Sequence, residues 1–195
     1  MPLPPLRNLM RLPARARSRE VASFFAQMDD LSRRTFADLK DCTPAELAWQ
    51  PRPGNNTIGM LLAHNAIVEA FWIMLAPGVE RAADTDKLMR KAIGIGGDDD
   101  GMPLPAGGAP PRALRGWSIA DFRRVHDRAR RFAKRRVARV RDADLEREIR
   151  RIRPSGQVRI LNGRWILYHV LEHQAGHYGQ MLLLRHLYRD RRKKT

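Results

Sequence analysis

Apolar residues recur at helical spacing in four stretches of the chain. From about Ser18 to Lys40, Val21, Phe24, Phe25, Met28, Leu31, Phe36 and Leu39 fall three and four apart, with one irregularity near Thr35. Ser18 supplies a capping hydroxyl. A second stripe holds Met60, Leu61, His64, Ile67, Val68, Phe71, Trp72 and Leu75, capped by Asn56 or Thr57 and ended by Pro77-Gly78. Ser118 caps a third, with Asp121 in its first turn, running through Phe122, Val125, Ala129, Phe132, Ala133, Val137 and Val140. The last helix starts near Gly163 or Arg164 and reaches about Tyr188.

Between these stretches the pattern is weaker. Pro44-Ala-Glu-Leu predicts one short helical turn, Asp84 to Ala92 a short helix, and Gln157 to Leu161 a short extended piece within a polar link, 142–163. The connection 77–117 is rich in Gly, Pro and Asp, which marks a functional loop or an unstructured one. Four helices of about 20 residues, each about 30 Å long, predict an all-α four-helix bundle over 18–188 with a long connection between helices 2 and 3. No alternating pattern of strand length points to a sheet-based fold.

Length and charge refine this picture. The chain has 195 residues, enough for one domain with a core, and a net charge of +16. Residues 1–17 carry four arginines and four prolines with no acid, and predict a flexible basic arm; 189–195 predict a basic tail that frays. The arm has no apolar core of a secretory signal, so the expected location is cytoplasmic. No uninterrupted apolar run predicts a membrane span, since His64, Asn65 and Glu69 break the longest candidate. The single cysteine, Cys42, excludes a disulfide scaffold, and its neighbour Asp41 does nothing to activate it.

The candidate chemistry lies in the histidines. His169, His173 and His177 are spaced four apart on the last helix, so each is displaced about 6 Å and 40° from the one before and all share a face with Val170, Met181 and Leu184. His64 lies in the apolar stripe of the second helix. A pair at i and i+4 plus a third imidazole from a facing helix can chelate a metal and leave a position open. The plain alternative is a set of core histidines satisfied by hydrogen bonds. Several buried imidazoles without partners would cost about 1–3 kcal/mol each, and a metal would offset that cost. His126 and His186 sit in basic surroundings that suit packing or surface roles.

The segments Gly59-Met-Leu-Leu-Ala-His64-Asn-Ala-Ile-Val-Glu-Ala-Phe-Trp72 and His169-Val-Leu-Glu-His173-Gln-Ala-Gly-His177-Tyr-Gly-Gln180 resemble the second and last helices of the DinB/YfiT-like metalloproteins. The resemblance spans roughly residues 18–188. It implies a four-helix bundle, often a homodimer, holding a divalent metal, usually zinc or nickel, on His64, His173 and His177. Characterised members include thiol S-transferases that use bacillithiol or mycothiol, and a mycothiol-dependent isomerase. It therefore implies a metal-dependent thiol S-transferase or hydrolase acting on a small molecule, with a low-molecular-weight thiol as cosubstrate. Strong basic charge, the long 77–117 connection and the basic extensions depart from a typical member.

His169 and Glu172 are the candidates for a catalytic role beside the metal, and Glu69, Glu172 and Gln180 for orienting its ligands. A different class is a non-catalytic basic bundle binding nucleic acid or another polyanion. Fourteen basic residues between Arg123 and Arg153 could track phosphates, but acids are interleaved and no aromatic stacking set accompanies them. A third class keeps the metal and has lost turnover.

Overall fold

Side-chain oxygens fix where the helices begin. Ser18 accepts from the Val21 amide and starts α1 (Arg19–Asp38). Thr43 starts the single turn α2 (Pro44–Leu47), and Thr57 accepts from Met60 to start α3 (Ile58–Leu75). Asp84 starts α4 (Thr85–Ile93), which Gly94 ends in the left-handed region at φ 92°. Ser118 and Asp121 form a reciprocal capping box on α5 (Ile119–Arg136). The last helix, α6 (Gly163–Arg192), follows a strand directly, and the Asn162 carboxamide accepts from the Trp165 amide. The computed structural model describes residues 10–13, 15–79, 83–152 and 155–192; most of the expected arm, 1–9 and Ala14, and the tail 193–195 lie outside them.

The four long helices pack side by side, α3 against α5 and α6, and α1 against α6 and α5. Two apolar clusters fill the space between them. One holds Leu39, Leu47, Met60, Leu62, Phe122 and Phe132; the other holds Val21, Phe25, Met28, Ile73, Leu145 and Ile166. At Gly59 an added Cβ would lie 2.8 Å from the Phe122 ring, so the missing side chain lets α3 approach that ring. Helix α3 is buried on nearly every side rather than along one stripe. By length and composition it could cross a membrane, but 78% of it is buried inside the fold, where its apolar surface serves the core.

The expectation of an all-α chain is corrected by a small antiparallel hairpin, whose second strand falls on the short extended piece expected at Gln157 to Leu161. β1 (Glu148–Ile152) pairs with β2 (Val158–Asn162), with Arg151 opposite Arg159 and Ile152 opposite Val158. β1 falls where a polar link was expected, because its arginines masked the two-residue alternation of half-buried Ile149 and Arg151. Helix α5 ends at Arg136, short of Val140, yet Val137 and Val140 remain buried on the turn that follows. Helix α6 continues to Arg192, beyond the expected end at Tyr188. Its first turn is fixed to α1: Arg164 forks onto both Glu20 oxygens at 2.5 and 2.8 Å and reaches Glu146 at 2.5 Å.

The 77–117 connection is ordered in its described part. Met89, Ile93, Ile95 and Leu114 anchor it in the first apolar cluster. Between them a turn built on Asp98, Asp99 and Asp100 is held by Arg90, which reaches Asp99 at 2.7 Å. That anchoring sends Asp100 inward to the histidines.

Candidate metal centre

Helices α3 and α6 bring three imidazoles to one place. His64, His173 and His177 each offer a nitrogen, and these nitrogens lie within 4.8 Å of one another. Ring centroids are 4.4 Å apart for His173–His177, 5.0 Å for His64–His173 and 5.3 Å for His64–His177. The pair on α6 meets because residues four apart stack along one helical face. His64 meets them because α3 packs directly on α6.

Two of the rings are oriented by oxygen acceptors on the side away from the centre. His64 Nδ1 donates to Asp100 Oδ2 at 2.7 Å, and His177 Nδ1 donates to Gln180 Oε1 at 2.7 Å. Each bond fixes the proton on Nδ1 and leaves Nε2 with a lone pair. Asp100 is 1% exposed, and its other oxygen accepts from the Met102 amide at 2.9 Å. Gln180 is the expected orienting residue that takes this role. Asp100 is the one that reading the sequence missed: it lies 36 residues from His64, in a Gly/Asp-rich turn whose only signal is its acidity.

The residues fit a divalent ion. His173 Nδ1 and His177 Nε2 are buried without a hydrogen-bond partner. Burial, reinforced by the neighbouring imidazoles His177, His64 and His169, holds the His173 pKa down at about 3. Burial also lowers that of His177, against the opposing pull of Gln180. Both rings are therefore neutral at pH 7, the form that ligates. Three converging imidazoles are a donor set compatible with a divalent metal.

Beneath the triad lies a polar network to which each long helix contributes. Glu69 on α3, fully buried, accepts from Arg130 on α5 at 2.6 and 3.1 Å and from Gln174 on α6 at 2.9 Å. Arg130 also reaches Asp29 at 2.5 Å and Ser32 at 3.2 Å on α1. Glu69 thus bonds Arg130 and Gln174 rather than orienting an imidazole, which corrects the expectation for it. Its place, five residues after His64, ties the two ligand-bearing helices together from below.

His169 sits one turn before His173, with ring centroids 5.5 Å apart. It is stacked on Trp165 at 4.7 Å and meets Trp72 edge-on at 4.8 Å. Its Nδ1 is 3.0 Å from the carboxylate of Glu172, an exposed residue. Glu172 therefore pairs with His169, not with a ligand. His126 is a packing residue, buried, bonded to the Leu62 carbonyl at 2.8 Å and set edge-on to Phe36, while His186 is exposed. Cys42 is buried, and burial with the nearby Glu46 pushes its thiol up to about 11, which makes it inert at neutral pH.

Two facing helices that converge three imidazoles, backed by a buried carboxylate, place this chain among helical proteins with a site compatible with metal binding. A model of the DinB superfamily matches residues 27–181, which takes in α1 from Gln27, the whole triad and the 77–117 connection, and the chain belongs to that superfamily. No curated protein matches it in a sequence search.

Proposed function

We propose that this DinB-superfamily chain is a four-helix-bundle metalloenzyme that holds one zinc or nickel ion on His64, His173 and His177 and acts as a thiol S-transferase or hydrolase on a small molecule. The observation that carries this reading is the pairing of unpartnered buried nitrogens on His173 and His177 with outward hydrogen bonds that fix the tautomers of His64 and His177. A structural site would close the coordination shell with a fourth residue. Among the described residues the cluster has three.

A divalent ion bound there supplies Lewis acidity, which lowers the pKa of a bound water towards about 7 or holds a thiol as thiolate. The chain's own residues do the rest. Asp100 keeps the proton on His64 Nδ1. Gln180 does the same at His177. The Glu69–Arg130–Gln174 network holds α3 and α6 at fixed separation. His169, with Glu172 accepting from Nδ1, keeps its Nε2 lone pair available to take a proton from a substrate beside the triad.

The test loads metal-free protein with zinc or nickel and follows two reactions: transfer of a small thiol to an aryl halide, and hydrolysis of an activated ester. Metal-dependent turnover in either, lost in His173→Ala, is the expected result. Stoichiometric metal with no turnover over a broad panel of thiols and esters would favour the non-catalytic alternative.

A further inference from the structure

Helix α5 carries eight arginines and lysines against two acids, Asp121 and Asp127. At about 100° per residue, Arg124, Arg128, Arg131 and Arg135 fall within about 60° of one another, on the side opposite the buried His126 and Ala133. All four are exposed, and they run about 16 Å along the helix.

A basic helix is ordinarily a solvated face balanced by nearby acids. Here the acids close to it in sequence are engaged elsewhere. Asp121 closes the capping box with Ser118 and pairs with Arg124. Asp142 accepts from the Ser18 hydroxyl at the start of α1, Asp144 accepts from the Arg141 amide, and Glu146 pairs with Arg164 on α6. Asp127 stands at the edge of the stripe, 60° from Arg124 by the same helical arithmetic of about 100° per residue. Among the described residues, Arg128, Arg131 and Arg135 pair with no carboxylate. Successive members of the stripe are three or four residues apart, the spacing at which like charges destabilise a helix. The helix dipole offsets this for Arg135 in the last turn, but not for Arg124 or Arg131. An external anion would relieve the repulsion.

The character of the surface selects the anion. The exposed large apolar side chains, Ile152, Ile160 and Leu183 among them, lie away from α5. A helix lying on a membrane buries such side chains, and protein partners bind through aromatic or apolar anchors. Phe122 and Phe132 of α5 are buried, so the stripe offers no ring on which unpaired bases could stack. What it offers is a row of forked donors at steps of about 4.5–6 Å, which suits a rod carrying one negative charge per about 1.7 Å of its axis.

We propose that the stripe formed by Arg124, Arg128, Arg131 and Arg135 binds the phosphate backbone of a nucleic-acid duplex without reading its sequence. The stripe lies on α5 and the triad on α3 and α6, so the proposal rests neither on the metal nor on turnover.

The experiment follows the fluorescence anisotropy of labelled DNA duplexes of about 20 base pairs, in two unrelated sequences, as the full chain is added at several salt concentrations. One phosphate for each arginine predicts a log–log slope near about −3.6, so the affinity falls about 100-fold between about 50 and 200 mM sodium chloride. Arg131→Gln/Arg135→Gln should reduce the slope by about 2 and weaken binding at least about tenfold at the lower salt. Arg52→Gln/Arg150→Gln removes the same charge from the exposed loop before α3 and from the hairpin, and should bind within about threefold of the parent. Circular dichroism confirms that each variant is folded. Equal losses in the two double variants would show that net charge alone drives binding, and would overturn the proposal. No binding at the lower salt, or a preference above about tenfold for one sequence, would overturn it too. So would tighter binding to phosphatidylserine vesicles than to duplex, lost in Arg131→Gln/Arg135→Gln, which would give the surface to a membrane.

Discussion

Replacing Asp100 by asparagine changes one atom and almost no volume, yet it should weaken metal binding sharply. Both carboxylate oxygens of Asp100 are acceptors: Oδ2 for His64 Nδ1–H at 2.7 Å, and Oδ1 for the Met102 amide at 2.9 Å. An amide has one oxygen. If that oxygen serves Met102, the new NH2 faces His64 Nδ1 and drives its proton to Nε2, where a metal would otherwise bind. If it serves His64, the NH2 faces the Met102 N–H and two donors meet in a site 1% exposed. Water has little room to repair either arrangement. Loss of such an orienting partner costs about 10–100-fold in metal affinity, or about 1.4–2.8 kcal/mol. The assay is competition for zinc against a chromophoric chelator at pH 7.5, for the parent, Asp100→Asn and Asp100→Ala, with thermal melts of the metal-free forms to show that each is folded. Zinc affinity within twofold of the parent in the asparagine variant would refute the role assigned to Asp100.

Three further outcomes follow from the same structure. Glu69→Ala leaves Arg130 buried without its main counter-charge and should destabilise the fold by about 3–5 kcal/mol in urea or guanidinium titration; a loss under about 1 kcal/mol would contradict the network's structural role. His173, His177 and His126 all have folded pKa values held down by burial, so the unfolded chain binds more protons than the folded one below the ordinary histidine pKa. Metal-free protein should therefore lose stability as pH falls from about 6.5 towards about 3, with little change from pH 7 to 8; a melting temperature flat between pH 7 and 5 would count against this. Cys42 should react with a disulfide reagent only at the rate of unfolding, and at once in denaturant; rapid reaction of the native protein would contradict its burial.

Much of this was legible in the sequence because the decisive signals are local. The caps Ser18, Thr57 and Ser118 mark their helix starts in one residue each, and four-residue histidine spacing needs only helical geometry to become a shared face. His64 could be placed inward from its apolar neighbours, and the family resemblance joined it to His173 and His177. What stayed hidden depends on distant parts of the chain. Asp100 reaches His64 because Met89, Ile93, Ile95 and Leu114 pin the long connection to the core, and no local pattern states that. Glu69 has the place of an orienting residue in the sequence, but Arg130, 61 positions away, claims it in the fold. β1 was masked because arginine stems fill inward positions where an apolar residue would have announced the strand. The function of His169 was open for the same reason: its stacking on Trp165 is local, but its contact with Trp72 requires α3 and α6 to be packed together.

The central claim is that the three imidazoles converge to hold a metal. It is tested most directly by metal content, measured by mass spectrometry on untagged protein beside the His173→Ala/His177→Ala variant, with the metal-free protein then offered zinc and nickel near pH 7.5. The structure predicts close to one ion per parent chain and loss of that ion in the variant. A parent chain that carries no metal and takes up none would contradict the site, and the triad would then be a group of packed core histidines.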